Sequence, residues 1–444
     1  MLLALALLVA ASPVPPLSLQ GTALTLDNGL IVIVSEDHTI PGVSMEVLYK
    51  VGSKDEDPGR TGFAHLYEHL MFMGARYVPY PKFDTIMEAA GGSNNATTAN
   101  DLTRYFESGP SNLLETFCWM EADRMATFGL EMTDQKLGTQ KPVVLNERRQ
   151  SYEARPYGLA DLVTQEQLWP QGHPYHHTPI GSAQDIEAAQ LDDVKRFFAR
   201  WYVPSNAVIA IVGDVETAQA QALVKQYFGW IPSPKQPAHP PAPPLPQREQ
   251  PISKSLTDKV ELPKLILAWN TPAFTAPGDA EFDVLANVLA HGKASRLYRR
   301  LVHEKQLATE VGASQASREL GSVFAIEVLA RPGKDLAEIR KEVDAVVQEL
   351  LAKGPTPAEL DAARIVFYSG TARGLEGLVS RAGLLAMMQV VYGTPNALSK
   401  DLARYASLTP KAVAEAGKQY LGPGRVVVEV HPEPEAAPKA GGGR

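Results

Sequence analysis

At 444 residues, 45% of them hydrophobic and 21% charged, the chain has the composition of an ordinary globular protein with room for two or more domains. A net charge of −8 and a sequence pI near 5.8 give no basic footprint, which sets nucleic acid aside as a partner. The single cysteine, Cys118, allows no internal disulfide, and its neighbours Phe117, Trp119 and Met120 mark it as a core residue rather than a nucleophile or ligand.

In chain order, Met1 to Ala11 is an unbroken apolar run, too short to cross a bilayer but fitting the core of an export signal. Val9-Ala10-Ala11 offers small residues for cleavage before Ser12, although basic residues do not precede the run and no Cys follows it to carry a lipid. Residues 1–17 therefore read as a signal peptide, which implies an exported protein of the bacterial periplasm or extracellular space with no stable membrane span. Thr22 to Ser35 reads as strand, Asp27-Asn28-Gly29 turn and strand, and Gly42 to Val51 as another apolar strand. The polar loop from Gly52 to Arg60 then leads into a helix, with Thr61 the expected N-cap.

That helix carries His65, Glu68 and His69, whose spacing of three and four residues puts all three side chains on one face. Two imidazoles a turn apart can hold one face of a tetrahedral zinc ion, and a carboxylate beside them can take a proton from the attacking water. A solvated face is the plain alternative. The apolar neighbours Phe63, Leu66, Leu70, Met71 and Phe72 argue against it, because three polar groups on an interior helix need partners and a metal supplies them. The pattern is the inverted zinc-peptidase signature His-x-x-Glu-His.

A helix follows near Phe83 to Ala90, then Gly91-Gly92 turns the chain into a β-rich segment reaching Phe106. Helical spacing runs from Leu113 to Phe128 and again from about Asp134 to Glu153, where Val143-Val-Leu-Asn-Glu-Arg-Arg-Gln150 lies. Gly138 and Pro142 interrupt that second stretch, so the helix either restarts at Pro142 or is kinked there. A catalytic zinc needs a third protein ligand, a carboxylate or His from another element. Glu147 is the best candidate, with Val143, Val144 and Leu145 expected on the buried side, although a Glu in an Asn-Glu-Arg-Arg run is by itself more often a surface residue. His173, His176 and His177 sit in a Pro-Tyr loop without a Cys or acid at ligand spacing and are not read as a second metal site. A helix ending near Tyr202 and the strand Ala207 to Val212 close the first unit.

Residues 232–251 are proline-rich and read as a semi-rigid linker that packs no core. Beyond it the chain repeats with an offset of 218 residues, from Tyr202 to Tyr420, Val208 to Val426 and Gly74 to Gly292. Under that offset His65, Glu68 and His69 fall on Asp283, Ala286 and Asn287, so the second copy cannot rebuild the site and reads as a structural half. After about His431 the chain is rich in Pro, Ala and Gly and reads as a disordered tail.

Taken together, the Leu-x-Asn-Gly-Leu hairpin, His65-x-x-Glu68-His69, Gly91-Gly-Ser-Asn-Asn-Ala-Thr97, Val143 to Tyr152, His173-Pro-Tyr175 with Ile180-Gly181, and Ser295-Arg-Leu-Tyr-Arg-Arg-Leu301 resemble the pitrilysin or insulinase family of zinc peptidases, in particular its short bacterial members. The resemblance implies an α+β fold of two homologous tandem α/β-roll domains with antiparallel-rich sheets: 18–231 catalytic and 252–432 inactive, with 433–444 as tail. It makes Glu147 the third ligand of a Zn2+ ion with His65 and His69, Glu68 the general base, and Asn95, Ala96 and Thr97 an edge that pairs with an extended peptide. The substrate would be a peptide or unfolded segment inside a closed chamber. The companion subunit would be another copy or a catalytically inactive relative that lends an Arg and a Tyr; Arg381 and Tyr392 are merely such residues in the corresponding half of this chain. One departure is Gln140, where the family usually has a second Glu. The competing class is a non-catalytic scaffold or processing-complex subunit, but such members commonly lose motif residues that are all present here.

Overall fold

The computed structural model describes residues 17–239 and 243–434. Residues 1–16 of the expected signal peptide, 240–242 of the linker and 435–444 of the tail lie outside the described residues. Leu17, the last residue assigned to the export segment, packs with Leu19 against an apolar cluster.

The first unit is built on β1 (Thr22–Thr25), β2 (Ile31–Glu36), β3 (Gly42–Tyr49), β4 (Ser93–Thr98), β5 (Thr103–Pro110) and β6 (Ala207–Gly213), in the order β1-β2-β6-β3-β5-β4. Only β2 and β6 run parallel; every other pair is antiparallel. Its helices are α1 (Phe63–Leu70), α2 (Lys82–Ala89), α3 (Leu114–Glu131), α4 (Asp134–Arg148), α5 (Gly158–Leu168), α6 (Ala183–Ala188), α7 (Leu191–Trp201) and α8 (Thr217–Phe228). The second unit has β7 (Ile252–Asp258), β8 (Lys264–Thr271), β9 (Ala308–Ala316), β10 (Ser322–Ala330) and β11 (Val426–Pro432), ordered β7-β11-β8-β10-β9. This is the order β2-β6-β3-β5-β4 over again, again with a single parallel pair, β7 with β11. Helices α9 (Asp279–Ala290), α10 (Leu336–Lys353), α11 (Pro357–Gly374), α12 (Leu378–Tyr392), α13 (Leu398–Ala406) and α14 (Pro410–Tyr420) complete it. The offset read from the sequence is thus a repeat of topology, and the expected α+β tandem is the fold.

The two units trade a helix. The inner face of the first sheet packs on its own α1, α3 and α8 through Val32, Met45, Val47 and Ile209. Its outer face, with Ile33, Leu48, Val208, Ala210 and Val212, is covered by Ala382, Leu385 and Ala386 of α12 from the second unit. In return, Ala160 and Leu168 of α5, followed by Trp169, cover Ile266, Ala268, Val426 and Val428 of the second sheet. Burial of both faces explains why β6 is a continuous apolar run rather than an alternating one.

Two expectations need correction. The linker does contribute to a core: Leu245 packs with Trp169 in the seam between the units. Gly321, at φ +135°, makes room for it, since a β-carbon there would lie 2.8 Å from Leu245 and 3.0 Å from Trp169. The helix carrying Glu147 does not restart at Pro142, because α4 runs unbroken through it and continues as a wider turn over Arg149–Glu153. The proline ring crowds the carbonyl four residues back, which belongs to Gly138, where a backbone without a side chain yields most easily.

Candidate metal centre

The buried carboxylate of Glu56 accepts hydrogen bonds from the first amides of α1, Gly62 N–H at 2.9 Å and Ala64 N–H at 2.7 Å. It does what was expected of Thr61, satisfying helix-terminal donors. Burial pushes the Glu56 carboxyl well above the usual range despite those donors. Thr61 is used differently: its hydroxyl donates to Asp185 at 2.5 Å and accepts from Ser182 N–H at 2.9 Å. Those bonds tie the start of α1 to the turn before α6.

The same turn also holds α4. Arg148 donates to the Gly181 carbonyl at 3.1 Å, and Lys141 to the Glu187 carbonyl at 2.9 Å. Gly181, at φ +68°, lies so close to α1 that a β-carbon on it would fall 2.2 Å from Gly62 N. The Ile180-Gly181 pair is therefore a splint between two helices, and glycine is required at its point of contact.

Held this way, α1 and α4 bring His65, His69 and Glu147 together. The His65 Nε2 lies 3.5 Å from Glu147 Oε1, and His69 Nε2 lies 3.0 Å from Glu147 Oε2. Two donors about 2 Å from one tetrahedral zinc ion are separated by about 3.3 Å, so each imidazole stands near ligand spacing from one oxygen of Glu147. Their donor atoms all lie within 4.8 Å of one another. The imidazoles, His65 first, hold the Glu147 carboxyl far below the usual carboxylate range. A two-imidazole, one-carboxylate set is the kind that zinc accepts. One feature of the shell is unusual: Nδ1 of His65 is buried without a hydrogen-bond partner among the described residues, so packing orients that ring.

Glu68 projects from the same helix one turn after His65, and its Oε2 accepts a 2.5 Å hydrogen bond from the Thr98 hydroxyl. Thr98 ends β4, the edge strand of the first sheet. Along β4 the side chains of Asn95 and Thr97 are exposed while Ala96 is buried, and the strand is paired only with β5. No other strand among the described residues pairs with its outer edge, and Ala96 N–H donates to the Asn95 side-chain oxygen at 2.8 Å.

Other residues singled out in the sequence have structural partners. His173 stacks on Trp169 with ring centroids 4.4 Å apart and accepts from Tyr175 N–H, and Nδ1 of His176 meets the Trp169 carbonyl at 2.8 Å. Arg381 of α12 pairs with Asp37 of the first unit, while Tyr392 donates to Asp401 at 2.5 Å. Val143 is 45% exposed rather than on the buried side of α4; Val144 is the buried residue. Gln140 donates to the Met73 sulfur at 2.8 Å. Thr98 closes the Asn94-Asn-Ala-Thr-Thr98 run read as substrate-binding, but its bond to Glu68 was not anticipated. Glu56 was not anticipated either, since it lies too far from α1 for any local capping pattern to reveal.

Comparison with known proteins bears on the family and the fold. The family profile described as "Insulinase (Peptidase family M16)" matches residues 31–169, and that for "Peptidase M16 inactive domain" matches 188–367. A relative from Helicobacter pylori named zinc protease PqqE is 31% identical over 368 residues, 82% of each chain. The chain belongs to the M16 peptidase family. A crystal structure of a protease from Helicobacter pylori superposes on this M16 chain with a TM-score of 0.87 at 28% identity, covering 94% of this chain and 100% of that one. The first half of the periplasmic protease PqqL from Escherichia coli shares the fold, with a TM-score of 0.75 at 19% identity over 93% and 92% of the two chains. No single helix among the described residues is long and apolar enough to cross a membrane.

Gly181→Ala tests the splint. It should cost at least about 2 kcal/mol, because backbone strain and a clash with α1 combine, and zinc retention should fall with it. Gly172→Ala also has a positive φ, +86°, but open space around it, and should cost about 1 kcal/mol and leave zinc binding intact. Urea denaturation and zinc titration of the two variants read the difference; equal costs with unchanged zinc affinity would contradict the role given to Gly181.

Proposed function

We propose that this chain is an exported zinc-dependent metalloendopeptidase that hydrolyses peptides or unfolded segments held in a closed chamber. The observation that carries the reading is the convergence of His65, His69 and Glu147 at ligand spacing with Glu68 on the same helix face. A zinc ion held by these three residues would supply the Lewis acidity that polarises a scissile carbonyl and brings the pKa of a water to about 7. Glu68, held through one oxygen, takes the water's proton on the other and returns it to the leaving amine. The edge of β4 at Asn95, Ala96 and Thr97, where Ala96 N–H now donates to the Asn95 side-chain oxygen at 2.8 Å, would pair with an extended substrate, which suits a protease because every peptide carries the same main chain. Residues 18–231 form the catalytic domain, 232–251 the linker and 252–432 the inactive domain. The apolar run at the N-terminus and the periplasmic name of the Escherichia coli relative support export.

Glu68→Gln should retain zinc at wild-type stoichiometry and lose peptide hydrolysis by about a hundredfold or more, as expected when a general base is removed. Glu147→Gln should lower zinc affinity as well. Metal analysis and turnover of a quenched fluorescent peptide separate the two; wild-type turnover by Glu68→Gln would contradict the mechanism.

A chain with one metal-holding unit and one without encloses only part of a chamber, so a second subunit, an inactive relative or another copy, faces it in the working enzyme. Specific activity should therefore rise as the dimer forms. Full activity from a chain that ultracentrifugation shows to be monomeric at assay concentration would contradict this.

A further inference from the structure

We propose that Thr98 is a positioning residue for the hydrolytic step, its hydroxyl fixing the Glu68 carboxylate and joining it to the strand that takes the substrate. The inference rests on the reading of Glu68 as general base and deepens it.

The contact is direct: the Thr98 hydroxyl donates to Glu68 Oε2 at 2.5 Å. A glutamate side chain on a short helix has three torsions to settle, and a base gains from having its reactive oxygen held in place before the reaction. Holding Oε2 restricts the carboxylate plane and leaves Oε1 to accept the proton. Thr98 is placed to do this because strand side chains alternate: Asn94, Ala96 and Thr98 face the helices, whereas Asn95 and Thr97 face solvent.

The anchor itself is rigid. The turn after Thr98 is clasped by the first unit, with Ser53 N–H donating to the Ala99 carbonyl at 3.2 Å and Lys54 N–H to the Asn100 carbonyl at 2.9 Å. It is clasped again by the second unit: the Asp101 carboxylate accepts from Glu319 N–H at 3.0 Å and from the hydroxyl of Tyr175, which itself accepts from Leu320 N–H at 2.9 Å. The unit without a metal motif thus holds the end of the strand whose last side chain aligns the base. A peptide that adds to β4 and the carboxylate that takes the proton of the attacking water share one frame.

The test compares Thr98→Val, which keeps the shape and removes the hydroxyl, with Thr98→Ser, which keeps the hydroxyl. In Thr98→Val, kcat should fall by about tenfold or more while KM changes by less than about twofold, because alignment rather than binding is lost. Zinc content and melting temperature should stay at wild-type values, and Thr98→Ser should recover most of kcat. A crystal structure of Thr98→Val gives a readout independent of turnover and should show the Glu68 carboxylate displaced or in more than one rotamer. A Thr98→Val protein with wild-type kcat, an unmoved Glu68, or a loss that Thr98→Ser fails to restore would overturn the proposal. Glu68→Gln measured alongside distinguishes the two failures, since an active Glu68→Gln overturns the base itself, whereas an inactive one with an active Thr98→Val overturns only the role of Thr98.

Discussion

The metal centre depends on two helices, some eighty residues apart in the chain, meeting at a separation set by the turn around Gly181. Zinc geometry asks for donor atoms about 3.3 Å apart, so the two helices must be held close before the ion draws the ligands in. Neither α1 nor α4 could hold that spacing alone. The first is only eight residues long, and the second carries a proline in its interior. What fixes them is backbone contact at Gly62 and Gly181, the bonds of Thr61 to Asp185 and Ser182, and the grip of Arg148 on the Gly181 carbonyl. Glu56 completes the arrangement by capping α1 from inside, a costly burial of a carboxylate that two amide donors partly offset.

The exchange of helices gives the second unit a purpose that its missing ligands would not suggest. A mixed sheet with an apolar strand such as β6 at its centre has two faces to bury, and the first unit's own helices cover one. Leu385 and Ala386 of α12 cover the other, and the bond network at Asp101 and Tyr175 carries the same coupling to within three residues of Thr98, the partner of Glu68. Loss of the metal motif at Asp283, Ala286 and Asn287 therefore leaves the repeat with packing and positioning work, which would preserve its fold without preserving its chemistry.

Much of this was legible in the sequence because the relevant signals are local or periodic. The spacing of His65, Glu68 and His69 is a property of one helix, and the 218-residue offset is a property of the chain. Glu147 was the best candidate for third ligand from its own helix, but only family resemblance settled the choice, since nothing in an Asn-Glu-Arg-Arg run specifies which way the Glu points. What stayed hidden was long-range. Glu56 caps a helix from six residues upstream, α12 crosses to the other unit, Leu245 finds a core in a proline-rich stretch, and Val143 turns outward where its apolar neighbours suggested burial. Each depends on tertiary contacts that propensity and period do not encode.

The central claim is that one zinc ion sits between α1 and α4. Anomalous diffraction at the zinc edge from crystals of the zinc-loaded protein tests it most directly. The account predicts a single peak per chain bonded to Nε2 of His65, Nε2 of His69 and a carboxylate oxygen of Glu147, with Zn–N distances of about 2.0–2.1 Å. A peak elsewhere, or none at this position in protein that carries stoichiometric zinc, would contradict it.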